Sequence, residues 1–355
     1  MRHVLGQLRR YLLGIAPAET TFARRGFAPC AEPVQARLER VGATFLRGYH
    51  SALYDDRPEV LSIELDRIDP EMRGFAYEGA AMVLALLDRL SPWRKSRVKT
   101  FLAGAGAAHA YMVHVGVGWA FARVGRRIER WLERRDPLLR WLVVDGYGFH
   151  EGYFHGPRAI DDQVCPRRLV GYARRAFDQG LGRSLWFVRG ADADRIQGTI
   201  GDFAPERRAD LWSGIGLASA YAGGVDRTSL EAVFAATGDH APALAQGAAF
   251  AAKARQRAGN LTAHTRMATD VYTGLDAEQA AELTDQALAL CLSSMDGWPT
   301  SSEVGNTNSA PEFASPTAKA MGHPTPLSIR DEAEPAYELW RTRVRNHFVR
   351  EAVSA

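Results

Sequence analysis

Four glycine-bearing words recur along this chain, and they constrain what it can fold into more than any other feature. They are Gly74-Phe-Ala-Tyr-Glu78-Gly79, Asp145-Gly-Tyr-Gly148-Phe-His150-Glu-Gly152, Ser213-Gly-Ile-Gly216-Leu-Ala-Ser-Ala-Tyr221 and Gln246-Gly247-Ala-Ala-Phe250. Gly74, Gly148 and Gly216 stand about 70 residues apart, and Gly247 follows after about half that interval. A recurrence of this kind predicts repeated helical pairs rather than four unrelated loops. Copies that resemble one another build the scaffold, so the copy that departs from them is where chemistry is expected. The second copy departs most: it alone carries His150, Glu151 and His155.

The chain has 355 residues, of which 46% are hydrophobic, enough for a sizeable core and too many for general disorder. Its formal charge is only +3, and its arginines alternate with acids. Nucleic acid is therefore not an expected partner. Cys30, Cys165 and Cys291 have no paired spacing and fit reduced thiols in a cytoplasmic protein.

Residues 1–21 predict an amphipathic segment, because Arg9 and Arg10 interrupt the apolar run that a signal peptide would need. Any membrane association is expected to be peripheral. The uncharged run from Thr100 to Ala122 holds four glycines and two histidines, and so reads as a buried helix or helix pair rather than a membrane span.

Helical periodicity dominates residues 22–295. Apolar positions predict helices over 34–49, 79–90, 105–132, 165–179, 209–221, 229–237, 243–258, 261–272 and 277–293. The β-prone runs Arg140–Val144 and Ser184–Val188 read either as strands or as buried helix turns. Residues 296–330 collect Pro299, Pro311, Pro316, Pro324 and Pro326, which predicts a long loop or lid before a closing helix within 331–355. The expected fold is mainly α, a single large domain of repeated helical pairs around an apolar cavity, with few or no strands.

The first three words, together with Gly182-Arg-Ser-Leu-Trp-Phe187, resemble the motif set of a bacterial family of unknown function. It is found chiefly in actinomycete biosynthetic clusters, best known beside the iterative polyketide synthases that make enediynes. The resemblance spans roughly residues 22 to 350. It implies a role in maturing a hydrophobic, unsaturated intermediate, with other enzymes of the cluster as potential partners, and it transfers no active site.

Asp145, His150, Glu151 and His155 supply acid and base capacity within eleven residues, with Glu78 at the equivalent position of the first word. The bland reading of the same residues is a buried hydrogen-bonded cluster. Glycines around them are expected to permit sharp backbone turns. The two histidines are five apart rather than four, unlike the zinc-protease helix, so no metal is expected. Tyr77, Tyr147, Phe149, Tyr153, Trp186 and Tyr221 are candidates to line a binding pocket, joined by His109 and His114, which on one helix would point apart. Gly180-Leu-Gly-Arg183-Ser184 reads as a turn into the core, with Arg183 as a possible anion clamp. Asp55-Asp56 and Asp161-Asp162 imitate metal-binding acidic words, but Arg57 and Pro58 break the first and both read as solvated turns. No nucleophile elbow or dinucleotide fingerprint occurs, and no cofactor is expected. An enzyme performing cyclisation or isomerisation is the first expectation; a helical protein that shields or delivers such an intermediate is the alternative.

Overall fold

The computed structural model describes residues 2–91, 96–124, 128, 132, 136–293 and 334–354. The predicted lid over 296–330 lies outside them. Proline and acidic caps start the main helices. Asp69 accepts a hydrogen bond from the Glu71 amide with Pro70 in the first turn, and Pro33 and Pro205 occupy first turns as well.

The principal helices are α1 (Arg2–Leu13), α2 (Glu32–Tyr54), α3 (Pro70–Leu90), α4 (Ala110–Val124), α5 (Arg140–Phe154), α6 (Tyr172–Val188), α7 (Pro205–Ala222) and α8 (Ala241–Arg257). They are followed by α9 (Ala263–Thr273), α10 (Ala277–Ser293) and α11 (Ala336–Ser354). Among the described residues there is no strand, and the molecule is a single helical domain, as the sequence predicts.

Helices α2 to α8 pack as successive neighbours, each against the next, while α9, α10 and α11 close over α8. The glycine words explain this order. Each word lies inside a helix, not at a turn, and its glycines face the adjacent helix, most of them its backbone, whereas Gly74 faces the Tyr221 and Met112 side chains and Gly152 those of Ser184 and Leu181. A Cβ on Gly48 or Gly79 would meet the α3 or α2 backbone well inside 3.0 Å. The same holds for Gly118 and Gly146 between α4 and α5, Gly148 and Gly180 between α5 and α6, Gly182 and Gly214 between α6 and α7, and Gly216 and Gly247 between α7 and α8. Absence of a side chain lets the helix axes approach and lets Cα–H groups meet carbonyl oxygens.

Two sequence expectations are corrected here. The glycines of 145–152 and of 180–184 do not turn the chain; both stretches are continuous helix, within α5 and α6. The β-prone runs are likewise buried helix, since Trp141, Val143, Val144, Leu185 and Trp186 are enclosed on all sides, where helix and strand give the same apolar pattern. Boundaries moved too. Residues 103–109 form turns, so the helix expected from 105 begins at Ala110, and the one expected from 165 begins at Tyr172, after Pro166 and Gly171.

Helix α11 presents Tyr337, Trp340, Arg341, Val344 and Phe348 inward at helical spacing. Full burial of Trp340 alone is worth on the order of 2–3 kcal/mol, and its indole N–H donates to the Thr284 carbonyl (2.7 Å).

Candidate functional site

A cavity of about 50 Å³ lies among α2, α3, α4, α5, α6 and α7. Phe45, Phe75, Trp119, Phe149, Tyr153, Phe187 and Tyr221 line it, and Ile15, Glu19 and Thr20, just after α1, form part of its rim. Only two fully buried charged side chains reach it, Glu78 and Arg183.

These two do not pair with each other. The Arg183 guanidinium donates to Asp145 Oδ1 and lies over the Phe149 ring at 5.1 Å. Gln179 Nε2 donates to the other Asp145 oxygen (3.0 Å). Asp145 thus takes the one nearby cation. Glu78 is left 3% exposed, with Oε1 lacking any hydrogen-bond partner. Burial pushes its pKa up to about 7, against the pull of Arg183 and with a further push from Asp145. Burial, with Arg183 engaged by Asp145, thus leaves Glu78 only partly ionised near neutral pH. The Tyr221 hydroxyl and the Trp119 indole N–H, both in the cavity wall, also have no partner.

A second cavity, of about 30 Å³, lies between α4, α7, α8 and α11. It shares Arg183, Leu217 and Tyr221 with the first, so these three side chains form the partition.

Of the residues singled out from sequence, Glu78, Phe149, Tyr153, Arg183 and Tyr221 meet at the first cavity, with Asp145 directly behind Arg183. His150, Glu151 and His155 do come together, but behind the wall: the His150 ring packs against Trp119 and Phe154 at 5.6 and 4.9 Å between centroids. Tyr77 and His109 stack on each other at 4.2 Å away from both cavities, and burial lowers the His109 pKa to about 4. The Tyr77 hydroxyl donates to Asp66 (2.9 Å). His114 contacts the Ala110 carbonyl through Nδ1 (2.7 Å), Tyr147 accepts from Arg168, and the Trp186 indole donates to the Gly223 carbonyl (3.1 Å). None of these five lines either cavity.

The sequence reading did not select Phe45, Phe75, Trp119, Phe187 or Leu217. For Trp119 a signal existed: it is the one tryptophan in the uncharged run and stands beside Gly118. The others look like ordinary core residues, because helical periodicity marks a buried face without distinguishing a filled core from a cavity wall.

A family model described as "Protein of unknown function (DUF1702)" matches residues 4–300. No curated protein and no solved structure matches the chain. Helix α11, which supplies Tyr337 and Trp340 to the second cavity, lies beyond the matched residues.

Proposed function

This chain belongs to the DUF1702 family, and from that premise we propose that it is a biosynthetic enzyme acting on a hydrophobic, unsaturated intermediate of polyene or isoprenoid type by proton transfer. The observation that carries this reading is a buried Glu78 carboxyl, its Oε1 without a hydrogen-bond partner, facing a cavity walled by aromatic rings. In the proposed step Glu78 gives its proton to one carbon of a C=C bond. The neighbouring carbon becomes cationic, and the faces of Trp119, Phe149 and Tyr221 stabilise it. A proton then leaves an adjacent carbon for the Glu78 carboxylate, either directly, giving an isomer, or after ring closure. Electrons and protons balance without a redox partner. Arg183, although bonded to Asp145, lowers the cost of the Glu78 carboxylate between the two transfers.

Size sets a condition. A hole of about 150 Å³ is what benzene occupies in an engineered apolar cavity, and 50 Å³ is well below that. Substrate entry therefore requires the partition of Arg183, Leu217 and Tyr221 to move and join the two cavities, or the rim near Ile15 to open.

Helix α1 suggests how such a substrate arrives. Val4, Leu5, Leu8, Tyr11 and Leu12 form one exposed apolar strip on the side away from α2, while Gly6 packs on Tyr54 and Arg9 pairs with Asp56 (3.0 Å). Exposed Arg10 flanks the strip, and the chain leads directly from α1 to the cavity rim. We assign the strip to an anionic lipid surface on the cytoplasmic side, touched peripherally. No helix among the described residues is long and apolar enough to cross a membrane. Cosedimentation with phosphatidylglycerol vesicles tests this, with Leu8→Glu/Leu12→Glu losing the binding. Dimerisation through α1 without vesicle binding would overturn it.

The site itself is tested by Glu78→Gln with extracts from producing cells as the substrate source. Ligand retained with turnover lost supports the acid role. Turnover retained at the wild-type rate would refute it, and ligand bound by both forms without any product would favour the carrier alternative.

A further inference from the structure

We propose that His150, Glu151 and His155 bind a divalent transition metal ion of the zinc class at the C-terminal end of α5. One ligand atom from each residue lies within 4.8 Å of the other two. The Glu151 carboxylate stands between the rings, with Oε1 3.4 Å from His150 Nδ1 and Oε2 3.5 Å from His155 Nδ1. Both separations exceed the usual 2.7–3.2 Å of a good N–H···O bond. They match the spacing of ligand atoms around zinc: at about 2.0–2.2 Å from the ion, tetrahedral ligands stand about 3.3–3.6 Å apart.

The five-residue separation of the histidines argues against a shared ion only on an unbroken helix. Here α5 ends at Phe154, and His155 leaves helical geometry at φ −129°, ψ 39° while its amide still bonds the Glu151 carbonyl (2.8 Å). This break keeps the His155 ring over the Glu151 carboxylate and 5.7 Å, centroid to centroid, from the His150 ring. His150 is buried and Glu151 mostly so, whereas the His155 side chain is 55% exposed and gives an ion its route in from solvent. Two nitrogens and a carboxylate suit zinc-class ions over calcium or magnesium, and they leave one coordination position to water.

None of the three residues lines the cavity, so this site is separate from the Glu78 chemistry. It would fasten the end of α5, where Arg25 already holds the Phe154 carbonyl (2.8 Å), and so fix Tyr153 and Phe154 in the cavity wall.

The test is calorimetric titration of chelator-treated, untagged full-length protein with zinc chloride, alongside His155→Ala and Glu151→Gln. The exposed His155 can be truncated without disturbing the core, so that variant remains interpretable if Glu151→Gln folds poorly. The expected result is one saturable site, weakened at least about tenfold in His155→Ala, with cobalt giving the visible absorption of a four-coordinate site. Glu78→Gln should bind zinc like the wild type, which separates this proposal from the enzymatic one. Absence of a saturable site, or a loss smaller than tenfold in His155→Ala, would overturn it.

Discussion

Helix α6 carries two buried ionic clusters two turns apart, and their charge counts differ. Near its start, Arg175 contacts Asp210 (2.9 Å) and Glu338 (2.7 Å), and fully buried Arg341 contacts the same two carboxylates (2.8 and 3.1 Å). Three cations meet two anions, since Arg345 also reaches Glu338 (3.7 Å), the Tyr172 hydroxyl adds a further bond to Glu338 (2.9 Å), and Arg341 with Arg175 holds the Asp210 carboxyl below its usual range although burial alone would raise it. Farther along, Arg183 bonds Asp145 and acts on Glu78 only through space. The first cluster ties α11 to α6 and α7. The second leaves Glu78 with no ion pair and with Oε1 unpartnered at the cavity. A surplus of cations makes a structural clasp; a surplus of carboxylates makes a proton donor.

This contrast can be broken most visibly at Glu78. Glu78→Gln keeps the shape but removes the proton, and turnover is expected to fall by roughly 10²–10⁴-fold with the fold intact by circular dichroism. The wild-type rate should itself decline as pH rises through about 7, because the acid form is then lost. A pH-independent rate would dissociate the acid from the chemistry.

The cation-rich cluster should fail through stability instead. Arg341→Met leaves Asp210 with Arg175 alone and Glu338 with Arg175 and the more distant Arg345, and urea denaturation should show a loss of about 3–5 kcal/mol. A loss below about 1 kcal/mol would mean that the ion pairs add nothing to the docking of α11.

Stability also separates the clusters by sign. Folded Glu78 keeps its proton up to about pH 7, while the unfolded chain releases it near 4.5. The folded state therefore binds more protons in that window, and stability falls as pH rises from about 4.5 to about 7. Glu78→Gln is thus expected to be more stable than wild type at pH 8, by about 3 kcal/mol, and similar to it at pH 4. Destabilisation at pH 8 would indicate that Glu78 is ion-paired in solution.

The smallest expected effect is a titration shift. Asp145→Asn removes the competitor for Arg183, which can then turn to Glu78. The pH at which turnover is half lost should drop by about one unit. No shift would mean that Arg183 does not reach Glu78.

Much of the helical fold was legible. Apolar spacing located most helices because burying one face at a 3.6-residue period leaves a mark that no other structure imitates over fifteen residues. The glycine words were rightly read as the organising feature of a helical repeat, but the glycines of 145–152 were wrongly read as turns. Gly148 in a helix contact and a glycine in a turn look the same in sequence, since both positions only require that Cβ be absent. The candidate site was legible in part. Glu78 and Arg183 could be picked out as ionisable groups within apolar words, yet nothing in the order of residues says that Arg183 bonds Asp145 rather than Glu78.

What the sequence alone determined is therefore the class of fold and which residues must be buried, for these follow from local periodicity and from the cost of exposing apolar surface. Only the tertiary structure decided which buried carboxylate keeps its proton and where the cavity lies. Those depend on distances among side chains from α3, α4, α5, α6 and α7, far apart along the chain, and Coulomb energy and desolvation respond to distance in space alone.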